Sequence, residues 1–254
     1  MPDSSRSMDD LYILAQRVAE GAGRVLLAGA DRTVNCLGAH DVKIQADVDC
    51  EQIIRDGLAP SALPVIGEEL GGDSTLPEQD DVLYWVVDPL DGTYNYLRNQ
   101  PATCVSIALM RGSVPLCGVV HDFCGHRVYA GAEGHGVSIN GIKAHPVWAK
   151  NLAEACLMTG FPAGMDKSPD ALCRFMEDVL RFKKIRMIGS AALAVAYVGV
   201  GLADVYQEAG TNLWDVAAGL AILRAAGGFY KLEPSGKRPL NYNLRAVGRR
   251  EWLA

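Results

Sequence analysis

The chain has 254 residues, 30 of them acidic and 24 basic, for a formal charge of -6, with 49% apolar and 21% charged side chains. These values exclude global disorder, and the acidic balance argues against nucleic acid as the main partner, since that role needs a basic face. A chain of this length buries roughly three quarters of its unfolded surface, as one large domain or as two small ones sharing a cleft.

In chain order, Leu11, Leu14, Ala15, Val18, Ala22, Val25 and Leu26 recur at helical spacing and predict an amphipathic helix ending near Gly29. A second helix is expected over Asp47 to Leu58, with Asp47 at or near its start and Glu51 and Arg55 spaced as an ion pair. Pro64-Val65-Ile66 leads into Gly67-Glu68-Glu69. The apolar run Leu83 to Val87 reads as a buried strand that stops at Asp88-Pro89. Thr103 to Met110 and Val114 to Val120 form a hairpin through Arg111-Gly112, Arg127 to Ala130 adds a strand, and Asn140-Gly141 marks another tight turn.

The second half alternates strand and helix. Strands are expected at Ala155 to Thr159, Ile185 to Ile188, Ala203 to Tyr206, Phe229 to Leu232 and Arg245 to Val247. Helices are expected at Pro169 to Phe182, Ser190 to Gly201 and Trp214 to Ala226. The change of pattern places a boundary near residues 145 to 154 and predicts two units, 1–148 and 149–254, with a cleft between them.

Seven widely spaced cysteines form no disulfide framework. The start, Met1-Pro2-Asp3-Ser4-Ser5, lacks the basic and apolar regions of a signal peptide. The expectation is a reduced, cytoplasmic protein. The most apolar stretch, Ala191 to Leu202, is too short for a bilayer and reads as a core helix, so no membrane partner is expected. Cys117, His121, Cys124 and His126 match no common zinc spacing and read as core thiols and turn histidines.

The acids carry more chemistry. Asp88-Pro89-Leu90-Asp91-Gly92-Thr93 ends a buried strand with two carboxylates. Gly92 lets a ligand approach the backbone, and Thr93 stands where a helical turn would present free N–H groups to an anion. Carboxylates and the Leu90 carbonyl are hard oxygen donors, suited to Mg²⁺. Read singly, DxxDGT is equally a strand-ending turn, Asp215 in Trp214-Asp215 an N-cap, Glu68 a loop acid and Asp47 a helix-start residue.

Together these segments resemble the inositol monophosphatase family, magnesium-dependent and lithium-sensitive phosphomonoesterases. The resemblance runs from about Leu11 to Val247. It rests on Gly67-Glu68-Glu69, on Trp85 to Tyr96 around Asp88-Pro89-Leu90-Asp91-Gly92-Thr93, and on Trp214 to Gly219 with Gly227-Gly228 after it. Asn140-Gly141 and Gly189-Ser190-Ala191-Ala192 also fit. The resemblance implies a layered α-β-α-β-α fold of the α+β or α/β class, a homodimer, and two or three Mg²⁺ ions per site. It implies that Glu68, Asp88, the Leu90 carbonyl, Asp91 and Asp215 bind metal, and that Asp47 helps hold a further ion or its water. Thr93 and Glu68 would orient the attacking water, and the backbone of Gly92 and Thr93 would hold phosphate. Asp91 and Asp215, with Gly189, Ser190, Ala191 and Glu208, would face a small phosphorylated polyol or sugar. Departures are Lys43 for a usual Thr in Asp41 to Asp47, Tyr94 for Thr and Ala194 for Asp; His40 and Asn35 stand where a Lys is common.

The expected reaction is metal-assisted, in-line attack of water with no phosphoenzyme. Asp88 and Asp91 are three apart, which lacks the D-x-D pattern of aspartyl nucleophiles. Rival substrates are fructose bisphosphate, histidinol phosphate and 3′-phosphonucleotides; Tyr94-Asn95-Tyr96 and Glu208 favour the inositol type. A non-catalytic binding protein on the same fold is the other class of reading, and the intact acid set argues against it. Setting aside Asp47, Glu68, Asp88, Asp91 and Asp215 leaves 25 acids against 24 bases, so most of the surplus charge is expected in one cleft.

Overall fold

The computed structural model describes residues 7–37, 42–161, 166 and 168–253. His40, Asp41, the side chain of Lys43 and most of the loop after Phe161 lie outside the described residues. The elements are α1 (Met8–Leu27), β1 (Val34–Leu37), β2 (Val42–Ile44), α2 (Gln45–Leu58), β3 (Val65–Gly67), β4 (Leu83–Asp91), α3 (Thr93–Leu97), β5 (Cys104–Arg111), β6 (Val114–Asp122), β7 (Arg127–Ala132), β8 (Gly136–Ile139) and β9 (Ile142–Ala144). Then come β10 (Cys156–Thr159), α4 (Pro169–Val179), β11 (Lys184–Arg186), α5 (Ala191–Gly199), β12 (Val205–Asn212), α6 (Leu213–Ala225), β13 (Phe229–Pro234) and β14 (Asn241–Val247).

Alternation along the strands decides the layering. Trp85, Val87, Ile107, Leu109 and Val119 face α1 and α2, whose stripe of Leu11, Ala15, Val18, Ala22 and Ile54 they bury. Tyr84, Val86, Ala108, Met110 and Val120, on the opposite face, meet Leu193, Ala196, Ala217 and Ile222 of α5 and α6. Those two helices are apolar nearly all round, as helices between two sheets must be. Their outer face packs on Met158, Tyr206, Leu244 and Ala246. Leu157, Val205 and Val247 on the far side of that second sheet receive Val179 of α4 and the nearby Phe182. The result is the expected α-β-α-β-α stack: a seven-stranded sheet ordered β3-β4-β5-β6-β7-β8-β9 and a five-stranded sheet ordered β11-β10-β12-β14-β13.

Several boundaries differ from the sequence reading, each for a physical reason. β4 does not stop at Asp88-Pro89 but continues to Asp91 through a bulge, one of the few places where a sheet tolerates proline. α2 starts at Gln45, which places Asp47 in its first turn, its Oδ2 accepting the Ile44 N–H at 2.9 Å. Asp215 is likewise not the cap of α6. Asn212 is, and Asp215 sits three residues further in, accepting the Asn212 N–H at 2.8 Å. His121 is not a turn residue. It is buried on β6, where Nδ1 donates to the Ala19 carbonyl at 3.0 Å. β12 and β14 are longer than their apolar cores, because paired neighbours carry polar residues along both strands. β1 and β2 escaped prediction. No described helix is long and apolar enough to cross a membrane.

Candidate metal and phosphate site

β3 and β4 run parallel, with Gly67 beside Val87. The next residues, Glu68 and Asp88, therefore emerge side by side at the same sheet end. In a regular strand, Asp88 and Asp91 would project to opposite faces, being three apart. The bulge corrects this. Asp88 pairs with Ser106 and Asp91 with Cys104, two positions apart on β5, so both carboxylates face the central helix layer. From that layer Asp215 enters on the first turn of α6.

The outcome is a trio: one carboxylate oxygen from each of Glu68, Asp88 and Asp215 lies within 4.8 Å of the other two. Oxygen-only donors at this spacing fit a hard divalent cation, and the donor chemistry matches Mg²⁺ far better than zinc. Burial, and then the charges of Glu68, Asp91 and Asp215, push the Asp88 carboxyl well above its ordinary range. Burial and the Asp91 charge push Asp215 up to about 8. Three acids that resist ionising together need a counter-charge. Among the described residues, Cys117, His121, Cys124 and His126 belong to no such group.

Asp91 stands beside the trio with a different set of partners. Its Oδ2 accepts from the Ser190 hydroxyl at 2.5 Å and the Ala192 N–H at 2.7 Å, at the start of α5. Burial raises its pKa, and those bonds oppose the rise. The Leu90 N–H donates to Asp88 Oδ1 at 3.0 Å, and the Leu90 carbonyl accepts the Thr93 hydroxyl at 3.1 Å. Gly92 caps α3 with φ of 88°, and a Cβ there would stand 2.6 Å from the Ala102 carbonyl oxygen, so a side chain is excluded twice. Asp47 is outside the trio, at the head of α2.

Gly189, Ser190 and Ala191 stand at the head of α5, and Glu208 is on β12. Burial lifts the Glu208 carboxyl to about 7, and Tyr206 Oη donates to its Oε2 at 3.0 Å. Asn95 joins the segment before β5 to the segment before α5: its Nδ2 donates to the carbonyls of Ala102 at 3.0 Å and Ile188 at 2.8 Å. In the sequence Asn95 counted only as part of Tyr94-Asn95-Tyr96, and Tyr206 had no role at the site. An amide just after a phosphate-type turn, and a Tyr two residues before an acid on one strand face, are the signals that were present.

The inositol monophosphatase family model matches residues 7–250. An inositol monophosphatase of Mesembryanthemum crystallinum is 35% identical over 237 residues, covering 91% of this chain and 87% of that protein. A protein of Xylella fastidiosa named Nus factor SuhB is 36% identical over 221 residues, covering 84% and 78%. The solved inositol monophosphatase of Anabaena (Nostoc) sp. PCC 7120 superposes with a TM-score of 0.80 at 30% identity, covering 95% of this chain and 91% of that one. On this match along nearly its whole length, the chain belongs to the inositol monophosphatase family and is a phosphatase.

Proposed function

We propose that the protein hydrolyses inositol monophosphate or a closely similar polyol or sugar phosphate, with Mg²⁺ as its cofactor. The convergence of Glu68, Asp88 and Asp215 in a chain of this family carries the reading. Asp91 and the Leu90 carbonyl would complete the donor set, and Asp47 would serve a further ion. Bound there, divalent cations neutralise the transferring phosphoryl group and acidify a water.

The protein's own groups do the positioning. Glu68 and the Thr93 hydroxyl hold the attacking water, with the Glu68 carboxylate accepting its hydrogen bond. Backbone N–H groups of Gly92 and Thr93 receive phosphate oxygens. Glu208 faces the polyol hydroxyls together with Gly189, Ser190 and Ala191. With its pKa near 7, Glu208 is present at neutral pH in both forms and can accept or donate a hydrogen bond. Asp91 and Asp215 lie between the phosphate and polyol sides.

Phosphate release from a panel tests this: inositol 1-phosphate, fructose 1,6-bisphosphate, histidinol phosphate and a 3′-phosphonucleotide, each with Mg²⁺, with chelator and with added Li⁺. The expected result is Mg²⁺-dependent, Li⁺-inhibited release, fastest from inositol phosphate. Faster release from another member reassigns the substrate. No release from any member overturns the reading.

A further inference from the structure

One fully buried charge is unused by the chemistry above. Glu51 lies on α2, one helical turn after Asp47, and has no exposed surface. Its Oε1 accepts the Arg55 Nε at 2.8 Å and the Leu70 N–H at 3.2 Å, and its Oε2 accepts the Glu69 N–H at 2.7 Å. Arg55 reaches past it: Nη2 donates to the Gly71 carbonyl at 2.5 Å, and Nη1 to the Val65 carbonyl at 3.4 Å. Gly67 completes the fit. A Cβ there would stand 2.0 Å from Glu51 Oε1, so the carboxylate occupies the space a side chain would need.

Residues 65, 67, 69, 70 and 71 are thus held against one pair of side chains. Glu68 is in the middle of that segment, and its carboxylate is turned to Asp88 and Asp215. A buried ion pair is a poor source of stability, because apolar residues of the same shape commonly do as well. What this pair fixes is geometry, since both Glu51 oxygens and three Arg55 nitrogens end on the Glu68 loop or on each other.

We infer that Glu51 and Arg55 are a positioning pair that sets the affinity of the site for divalent metal by fixing the Glu68 loop. This rests on the proposed metal role of Glu68. Neither residue touches metal or substrate. Both act through Glu68, as outer partners of metal ligands do elsewhere. Gln is an informative replacement at 51: its NH₂ faces an N–H donor whichever way the amide is turned.

The test is Mg²⁺ binding by titration calorimetry without substrate, on the full chain. Glu51→Gln is expected to weaken Mg²⁺ about tenfold or more. Substrate KM at saturating Mg²⁺ is expected to change less than about twofold, as an effect through the metal alone requires. In a chain already carrying Glu68→Gln, Glu51→Gln should add little, because coupled positions are non-additive. A merely structural role would lower the melting temperature without moving Mg²⁺ affinity, or would add in full on the Glu68→Gln background; either result overturns the inference. If Glu51→Gln does not fold, Arg55→Lys reads the same quantity. It keeps the charge beside Glu51 and gives up the forked reach to Val65 and Gly71, so Mg²⁺ should still weaken, and wild-type affinity would again refute the pairing. Should Glu68→Gln and Asp88→Asn both bind Mg²⁺ like wild type, the metal site itself is misassigned, which is a separate failure.

Discussion

Metal removal is the perturbation whose size the structure sets most directly. Three carboxylate oxygens within 4.8 Å repel by at least about 3 kcal/mol per pair at an effective dielectric near 20. Three such pairs come to about 10 kcal/mol, which is comparable to the whole stability of a domain. The metal-free protein lowers this cost by keeping protons on Asp88 and Asp215. Asp88 and Asp215 are raised in the folded state, Asp215 to about 8, against an ordinary value of 3.8. A raised acid contributes stability that is present in full below its unfolded pKa and lost as pH rises through the folded one. Metal-free protein should therefore lose stability steadily from about pH 4 to about pH 8.

Mg²⁺ bound at the trio would compete with those protons, so its stabilising effect should grow over the same window. At a hundred times its dissociation constant it contributes about 2.7 kcal/mol, or roughly 5–10 °C in melting temperature for a chain of this size. The assay is thermal melting with chelator and with Mg²⁺ at several pH values, paired with calorimetry in buffers of different ionisation enthalpy to count protons released on binding. A melting temperature unmoved by millimolar Mg²⁺, or an increment that shrinks between pH 6 and pH 8, would refute the reasoning.

Asp91→Asn should abolish turnover while the chain stays folded, because an amide oxygen can still accept from Ser190 and Ala192; retention of a tenth of wild-type rate would sink its assignment. Asn95→Ala removes the donor that joins Ala102 to Ile188. It should cost about 1–3 kcal/mol in denaturant unfolding and raise KM for the polyol phosphate, and an unchanged KM would count against its holding the head of α5 in place for substrate. Gly118→Ala would put a Cβ 2.1 Å from the Ala218 carbonyl oxygen, an atom of the α6 backbone that cannot turn aside. A loss of about 1–3 kcal/mol or more is expected, with weaker Mg²⁺ binding because α6 carries Asp215; wild-type stability would show that the helix and sheet can separate freely.

The carboxylate trio of the candidate site was legible in the sequence. GEE, DPLDGT and WD named Glu68, Asp88 and Asp215, and the layered fold followed from the family resemblance. The strand-end geometry was less visible. Nothing in the spacing of Asp88 and Asp91 announces that a bulge at Pro89 returns them to one face. Asp215 looked like a cap because caps and first-turn acids share a composition, and only the chain path at Asn212 separates them. Glu51 was legible as a helix-surface pair with Arg55, and that reading was incomplete. Its burial depends on where residues 67–71 return, which is a tertiary fact that the periodicity of α2 does not contain.

The helix layer between the sheets has a bearing on how the protein is made. α6 packs on β4, β5, β6 and β7 of one sheet and on β12, β13 and β14 of the other. A chain leaving the ribosome delivers Glu68, Asp88 and Asp91 more than a hundred residues before Asp215. If the seven-stranded sheet forms first, α1 and α2 can cover one face, while the other, with Tyr84, Val86 and Val120, waits for α5 and α6. α5 begins to cover that face, and the docking of α6 both finishes the covering and completes the carboxylate trio. Until α5 and α6 are made and docked, that face is the kind of apolar surface that draws chaperones and aggregation.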